Sequence, residues 1–398
     1  MHTRSARLLL LAAWALLAAG CPRPTRAPVT RAEDALVPVS QPLELRDEGS
    51  PAALRVAIAE SLTWLATRPP EDRFIFGQRQ VTAAELRAAL ERLHARITDE
   101  LRPEELTARV LEQFEPLESA GGDDGRVLFT GYYEPTIEAS LTRTEEYATP
   151  ILGPPNDLIE VPLEPFAERF KAEKVFGRLE GKRLVPYWNR AEIRAGKLEN
   201  RKLELAWAKD PVGLFFVEVQ GSGTLRLPDG TERRIGYAAS NGRPYRSIGS
   251  LLIQEGVIPR EAMSMQALRA WLAQNPSQCN RVLDFNESYV FFRFLDTAAV
   301  GSLGRPVTPG RSIATDARLF PKGALAFIQT EVPVATPGGA VEWRPLSRFV
   351  LNQDTGGAIR GAGRVDVFWG RGPEAELAAG MMKQKGRLFF LVPRPLPR

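Results

Sequence analysis

The stretch Asp354-Thr355-Gly356-Gly357-Ala358-Ile359-Arg360-Gly361-Ala362-Gly363-Arg364-Val365-Asp366-Val367-Phe368-Trp369-Gly370 decides how this chain is read. Its second half is a strand pattern: alternation puts Asp366 and Phe368 on one face, and Val365, Val367 and Trp369 on the other. A carboxylate inside so β-prone and aromatic a strand is unusual, because burying it costs several kcal/mol unless it is paired or neutral. In the first half, paired glycines after Asp354 let the backbone approach a ligand or another strand closely. The residues alone leave two readings open. Asp366 is either a strand-edge aspartate bonding a turn or a carboxylate held for chemistry.

Around this stretch the chain reads as mainly β. From Arg126 onward, short β-type runs are broken by Gly and Pro, with strands expected at Leu214 to Val219, Tyr289 to Phe294, Ala324 to Val332, Ser347 to Leu351 and Arg387 to Val392. Leu225 to Leu227, Pro228-Asp229-Gly230 and Arg233 to Tyr237 spell a hairpin. Helical periodicity is confined to Ala52–Ala66, Thr82–Ile97, a segment opened by Pro103, Glu261–Gln274 and a segment running from Pro373 to about Met382. Many short strands with few helices point to a barrel.

The 398 residues carry 52 basic and 48 acidic side chains, so loss of a leader bearing Arg4 and Arg7 leaves a nearly neutral protein. No concentrated basic stripe marks a nucleic-acid binder. Arg4 and Arg7 precede an apolar run from Leu8 to Ala19, too short to span a bilayer and suited to a secretory signal. Leu17-Ala18-Ala19-Gly20-Cys21 resembles a bacterial lipobox, which implies a diacylated Cys21, and Pro22 after it favours the outer membrane. Five prolines between residues 22 and 50 read as an extended tether. With Cys21 committed, Cys279 stands alone, so no internal disulfide is expected; it reads as a small buried hydrophobe.

The chemistry narrows by elimination. His2 lies in the leader, and His94 sits on a helical repeat where a surface or core role is the likelier one. Metal centres and Ser-His-Asp or Cys-His catalysis therefore lack their usual residues. No phosphate-binding loop or dinucleotide fingerprint occurs. No metal and no cofactor are expected. Carboxylates remain, and Asp316, Asp354 and Asp366 are the ones worth weighing.

Five segments carry a resemblance. They are Phe129-Thr130-Gly131-Tyr132-Tyr133-Glu134-Pro135, Val219-Gln220-Gly221-Ser222-Gly223, Gly236-Tyr237 through Asn241-Gly242-Arg243-Pro244-Tyr245 to Gly249, Asn286 to Phe292, and Asp354 to Ile359 with Asp366 to Gly370. In this order the chain resembles the membrane-bound lytic murein transglycosylase A (MltA) family, whose C-terminal domain carries three aspartates. The resemblance implies a double-psi β-barrel built from both chain ends, residues 51–136 with N-terminal helices and 292–398, and an inserted β-rich domain at 137–291. Residues 1–20 and 21–50 fall to the signal peptide and the lipidated tether.

It also implies cleavage of the β-1,4 bond between N-acetylmuramic acid and N-acetylglucosamine in peptidoglycan, leaving a 1,6-anhydro ring. The alternative is a non-catalytic peptidoglycan-binding lipoprotein of the outer membrane. Asp366 matches the family's catalytic aspartate, Asp354 and Asp316 its other two. Thr130, Gly131, Tyr132, Gln220, Gly221, Ser222 and Arg360 match groove positions. The expected partners are peptidoglycan strands, the membrane through Cys21, and other cell-wall enzymes. Such a reaction requires Asp366 to carry a proton near working pH, a bias of roughly 3 kcal/mol from a free aspartate's value of about 3.9. Arg360 and Arg364 are accordingly expected to face away from it or to bind substrate carboxylates. Contact of either with Asp366 would count against the acid role. Tyr132, Tyr133, Tyr237 and Tyr245 suit either sugar contact or core packing.

Overall fold

The computed structural model describes residues 27–395 apart from 171–172, 297–298 and 358. The expected leader and Cys21 lie outside the described residues. Six strands close a barrel: β1 (Val127–Glu134), β2 (Ser312–Ala314), β3 (Leu325–Ala335), β4 (Val341–Asp354), β5 (Arg364–Arg371) and β6 (Lys383–Pro393). The ring runs β1, β5, β2, β4, β3, β6 and back to β1. The β1–β5 and β2–β4 pairs are parallel and the rest antiparallel. This closed barrel bears out the expected fold class, mainly β with a barrel drawn from distant parts of the chain.

Alternation along each strand sends one set of side chains inward. Val127, Phe129, Ile313, Phe327, Phe349, Leu351, Val365, Val367, Phe389 and Leu391 are buried in one cluster. Each such side chain contributes about 1.5–3 kcal/mol on leaving water. Asp366 and Phe368 therefore face outward, as the alternation required. Helices Pro51–Leu65 and Ala83–Arg96 pack on this core through Leu54, Ile58, Leu86, Leu90 and Leu93. Both start where capping chemistry marks the spot, Ser50 accepting from Ala53 and Thr82 forming a capping box with Glu85.

The extended-tether expectation is corrected from Ala32 onward. Leu36–Pro38 pairs with strand Phe114–Ser119, which itself pairs with β6. Leu45 is buried, and the Asp47 carboxylate forms a buried ion pair with Arg311 at 2.5 Å. Arg311 also donates to the carbonyls of Phe349 and Ser50, and Asp47 accepts from the Phe349 and Gly49 amides. Prolines spaced through a segment describe its stiffness, not where it docks.

β1 runs through Pro135 into Thr136–Ser140, the first strand of a second, six-stranded sheet. That sheet is ordered Val290–Leu295, Glu232–Ser240, Ser222–Arg226, Thr136–Ser140, Glu204–Ala208, Thr149–Leu152. The expected hairpin is there, with Gly230 at φ +81°. The strand expected at Leu214–Val219 is instead part of helix Pro211–Gln220. Asp210 caps it by accepting from the Val212 and Gly213 amides, Pro211 opens it, and Gly221 closes it in the left-handed region. Leu214, Phe215, Phe216 and Val217 are all buried, so no polar face betrays the helical period. Helices Ile248–Gln254 and Pro276–Phe285 were not anticipated; with Met265–Gln274 they pack a small apolar cluster that partly buries Cys279.

Removing one partner of a buried pair strands the other charge, at about 3–5 kcal/mol. Asp47→Ala is expected to lose that much in urea unfolding. The double variant Asp47→Ala with Arg311→Met should lose less than Asp47→Ala alone. A double variant worse than either single would show that the pair is not coupled as described.

Candidate active site

Asp366 projects from β5 on the barrel's outer face, directly paired with Thr130 on parallel β1 and with Ala314 on β2. Its Oδ1 accepts the hydroxyl proton of Thr130. Arg364, two residues earlier and so on the same face, places Nε 3.3 Å from the same oxygen and donates Nη2 to Thr130 Oγ1 at 3.2 Å. The expectation that Arg364 faces elsewhere is thereby corrected, and the contact counts against the acid role in this arrangement. Its strength is limited. One nitrogen engages at 3.3 Å, where a bidentate pair would engage two near 2.8 Å. The two side chains are 32% and 19% exposed, a setting in which ion pairs contribute about 0–1 kcal/mol. Arg360 donates to the Ile359 carbonyl.

The other two aspartates sit in different surroundings. Asp354, at the end of β4, accepts from the Tyr132 hydroxyl, the Ser302 amide and the Thr355 amide, each at 2.8 Å. Burial pushes its carboxyl above the ordinary range, and these three donors and the charge of Lys322 only partly oppose that. Tyr132 packs on Phe368, ring centroids 5.1 Å apart, and its hydroxyl is held far up its own range by burial and by Asp354. Tyr132 thus holds a carboxylate. Asp316 is fully buried yet held low: burial would raise it, but hydrogen bonds from the Arg318 guanidinium and the Gly361 and Arg318 amides outweigh that. Asp316 fastens the glycine-rich loop before β5.

Helix Pro211–Gln220 and the helices and loops packed beside the second sheet supply a neighbouring wall. Gln220 ends helix Pro211–Gln220, and its Oε1 accepts from the Tyr133 amide of β1 at 3.1 Å. Gly221 takes φ +79°, its carbonyl accepting from Tyr237, and Ser222 opens the next strand, buried. Beneath them Glu218 and Arg190 form a buried ion pair. A cleft of about 250 Å³ opens here, lined by Phe216, Val219, Gln220, Tyr245, Met263 and Ala379. Ala379 belongs to helix Pro373–Met381, whose backbone lies so close to β1 that a Cβ on Gly131 would sit 2.9 Å from Ala379 Cα. Glu376 of that helix pairs with Arg269 of the second sheet's helices at 3.3 Å, tying the walls together. The charge of Arg364 acts on the Tyr245 hydroxyl, lowering it. Arg364 and the neighbouring wall are thus within electrostatic reach of each other.

Of the expected groove residues, Thr130, Gln220 and their neighbours converge on this junction; Gly131 serves close packing; Arg360 stays apart. Tyr133 is core, its hydroxyl pushed up to about 12 by burial, whereas Tyr237 and Tyr245 are exposed. From sequence, Arg364 was expected either to face away from Asp366 or to bind substrate carboxylates, not to contact Asp366. Its position two residues before Asp366 on one strand was the available signal.

Comparison with known proteins gives consistent matches. The family described as MltA specific insert domain matches residues 128–293, and the 3D domain matches 311–392. Membrane-bound lytic murein transglycosylase A of Vibrio cholerae is 34% identical over 275 residues, covering 68% of this chain and 67% of that protein. Its Escherichia coli K12 counterpart is 34% identical over 279 residues, covering 69% and 68%. Among solved structures, a membrane-bound lytic murein transglycosylase from Agrobacterium tumefaciens superposes with a TM-score of 0.74 at 33% identity, covering 87% of this chain and 94% of that one. Escherichia coli MltA with bound chitohexaose gives 0.67 at 26% identity, covering 92% and 98%.

The half-buried Asp354 yields a signed prediction. Its carboxyl is raised above 3.8, so folding favours the neutral form. Stability is fully present below that value and falls as pH rises through the window above it. The Asp354→Asn variant stays neutral, and its amide can satisfy the same neighbours. Its stability relative to the parent should grow as pH rises above about 4 in urea unfolding. A pH-independent difference would contradict the assignment.

Proposed function

Because the chain belongs to the membrane-bound lytic murein transglycosylase A family, we propose that Asp366 is the carboxylate with which it cuts peptidoglycan strands. The protein is a lytic transglycosylase acting on peptidoglycan. The observation that carries the residue assignment is the Thr130–Asp366–Arg364 cluster, on the outer face of the barrel next to the cleft under the second sheet. Asp354 and Asp316 are engaged by three and four donor groups of the protein itself, and they support the loops around the site.

One carboxyl group is enough for this reaction. An ordinary glycosidase needs a second to attack or to activate water. Here the C6 hydroxyl of the N-acetylmuramic acid is the nucleophile. Asp366 gives its proton to the oxygen of the β-1,4 link to N-acetylglucosamine, and the C1–O bond breaks. The C6 oxygen then bonds to C1, closing the 1,6-anhydro ring, and its proton returns to Asp366. Thr130 holds Oδ1 in place, and Arg364 must leave that oxygen before the acid form can act. Gln220, Gly221 and Ser222, with Tyr245, form the second wall for the sugar chain. Residues 51–136 and 296–395 make the catalytic barrel with its helices, and 137–295 the inserted domain; the expected boundary at 291 moves because strand Val290–Leu295 pairs within the second sheet. Cys21 carries the lipid anchor on the periplasmic face of the outer membrane.

Loss of a general acid costs about 10²–10⁴ in rate. Asp366→Asn is expected to reduce anhydromuropeptide release from purified sacculi by that factor, read by mass spectrometry; full activity would overturn the assignment. Cys21→Ser should shift the protein from the membrane pellet to the soluble fraction after lysis; unchanged pelleting would refute the anchor.

A further inference from the structure

The Arg364 guanidinium is only partly used. Nε and Nη2 reach Asp366 and Thr130 through one long contact each, and the side chain is about one-third exposed. Strand pairing sets Lys383 of β6 beside Thr130 on the same outer face, itself exposed and making a single long contact to the Met263 carbonyl. The next lysine along, Lys385, is engaged by Asp124 at 2.6 Å. Two cations with spare donors thus flank the Thr130–Asp366 pair. An arginine with free donors and an open approach is suited to grip a carboxylate.

We infer that Arg364, with Lys383 beside it, is a receptor for a carboxylate borne by the substituent on the muramic acid, and that taking this carboxylate draws Arg364 off Asp366. The inference rests on the transglycosylase reading of the same site. It supplies what that reading lacks: Asp366 is released to act as an acid only when a substituted muramic residue is seated. A glycan without carboxylates leaves the Arg364–Asp366 contact in place. The site thereby discriminates peptidoglycan from an uncharged N-acetylglucosamine polymer at the catalytic group itself, not only along the groove. The carboxylate belongs either to the peptide stem or, in peptide-stripped glycan, to the lactyl group.

The test compares the parent chain, Arg364→Ala and Arg364→Lys on three ligands. These are soluble glycan–peptide oligomers from sacculi, the same oligomers stripped of peptide by an amidase, and chitohexaose, which has no carboxylate. Arg364→Ala should raise KM on the glycan–peptide roughly tenfold or more, the loss of one charge-assisted hydrogen bond, with a smaller effect on kcat. Chitohexaose Kd, read by calorimetry, should change less than twofold. Arg364→Lys should recover part of the KM. Dependence on Arg364 for unstripped oligomers alone assigns a stem carboxylate; dependence for stripped oligomers alone assigns the lactyl carboxylate, whose charge the amide link to the stem removes; dependence for both means that Arg364 takes a carboxylate from either. An unchanged KM on both, or equal losses for glycan–peptide and chitohexaose, overturns the inference. A parent chain that releases no anhydro product would instead sink the transglycosylase reading.

Discussion

The parallel pairing of β1 with β5 is the constraint on which the rest depends. It sets Thr130 against Asp366 across 236 residues of sequence. It also completes the ring, because β1 is held on its other side by β6. A closed barrel has no free edge, so neither strand can slip by one residue without turning Val365 and Val367 outward and Asp366 into the core. The apolar interior thereby enforces the position of a polar group on the exterior.

Three aspartates within one small domain illustrate how surroundings divide labour. Asp316 is buried and encircled by donors, so it is held ionised and serves to pin a loop. Asp354 is half-buried with neutral donors, and desolvation lifts its carboxyl more than those donors and the charge of Lys322 lower it. Asp366 alone of the three has a loosely held guanidinium beside it, next to the Thr130 hydroxyl. A group that must exchange a proton with a substrate cannot be sealed off, and it cannot be gripped so firmly that release is costly. The third environment fits that requirement best.

The second sheet is not an independent attachment. β1 continues into it through Pro135. Glu134 accepts from Thr224 at 2.7 Å, and Arg269 reaches Glu376 on the barrel's helix. These contacts hold the cleft wall that carries Gln220 and Tyr245 against the barrel. Close approach of helix Pro373–Met381 at Gly131 completes the clamp.

Much of this was legible in the chain itself. The alternation in Val365–Trp369 placed Asp366 outside and its neighbours inside, since period two is a property of the backbone. Helical periodicity placed helices at Ala52–Ala66 and Thr82–Ile97, and the order of five motifs identified the family and the barrel. Other features depended on partners far away in sequence. The helix through Leu214–Val219 buries Leu214 to Glu218 in succession, so its apolar residues show no helical period in the sequence. Residues 35–47 are docked because strand Phe114–Ser119 and Arg311 await them. Arg364 lies against Asp366 because they share one face of one strand, a proximity readable from spacing. That its guanidinium turns toward Asp366 and Thr130 was decided only by the packed barrel.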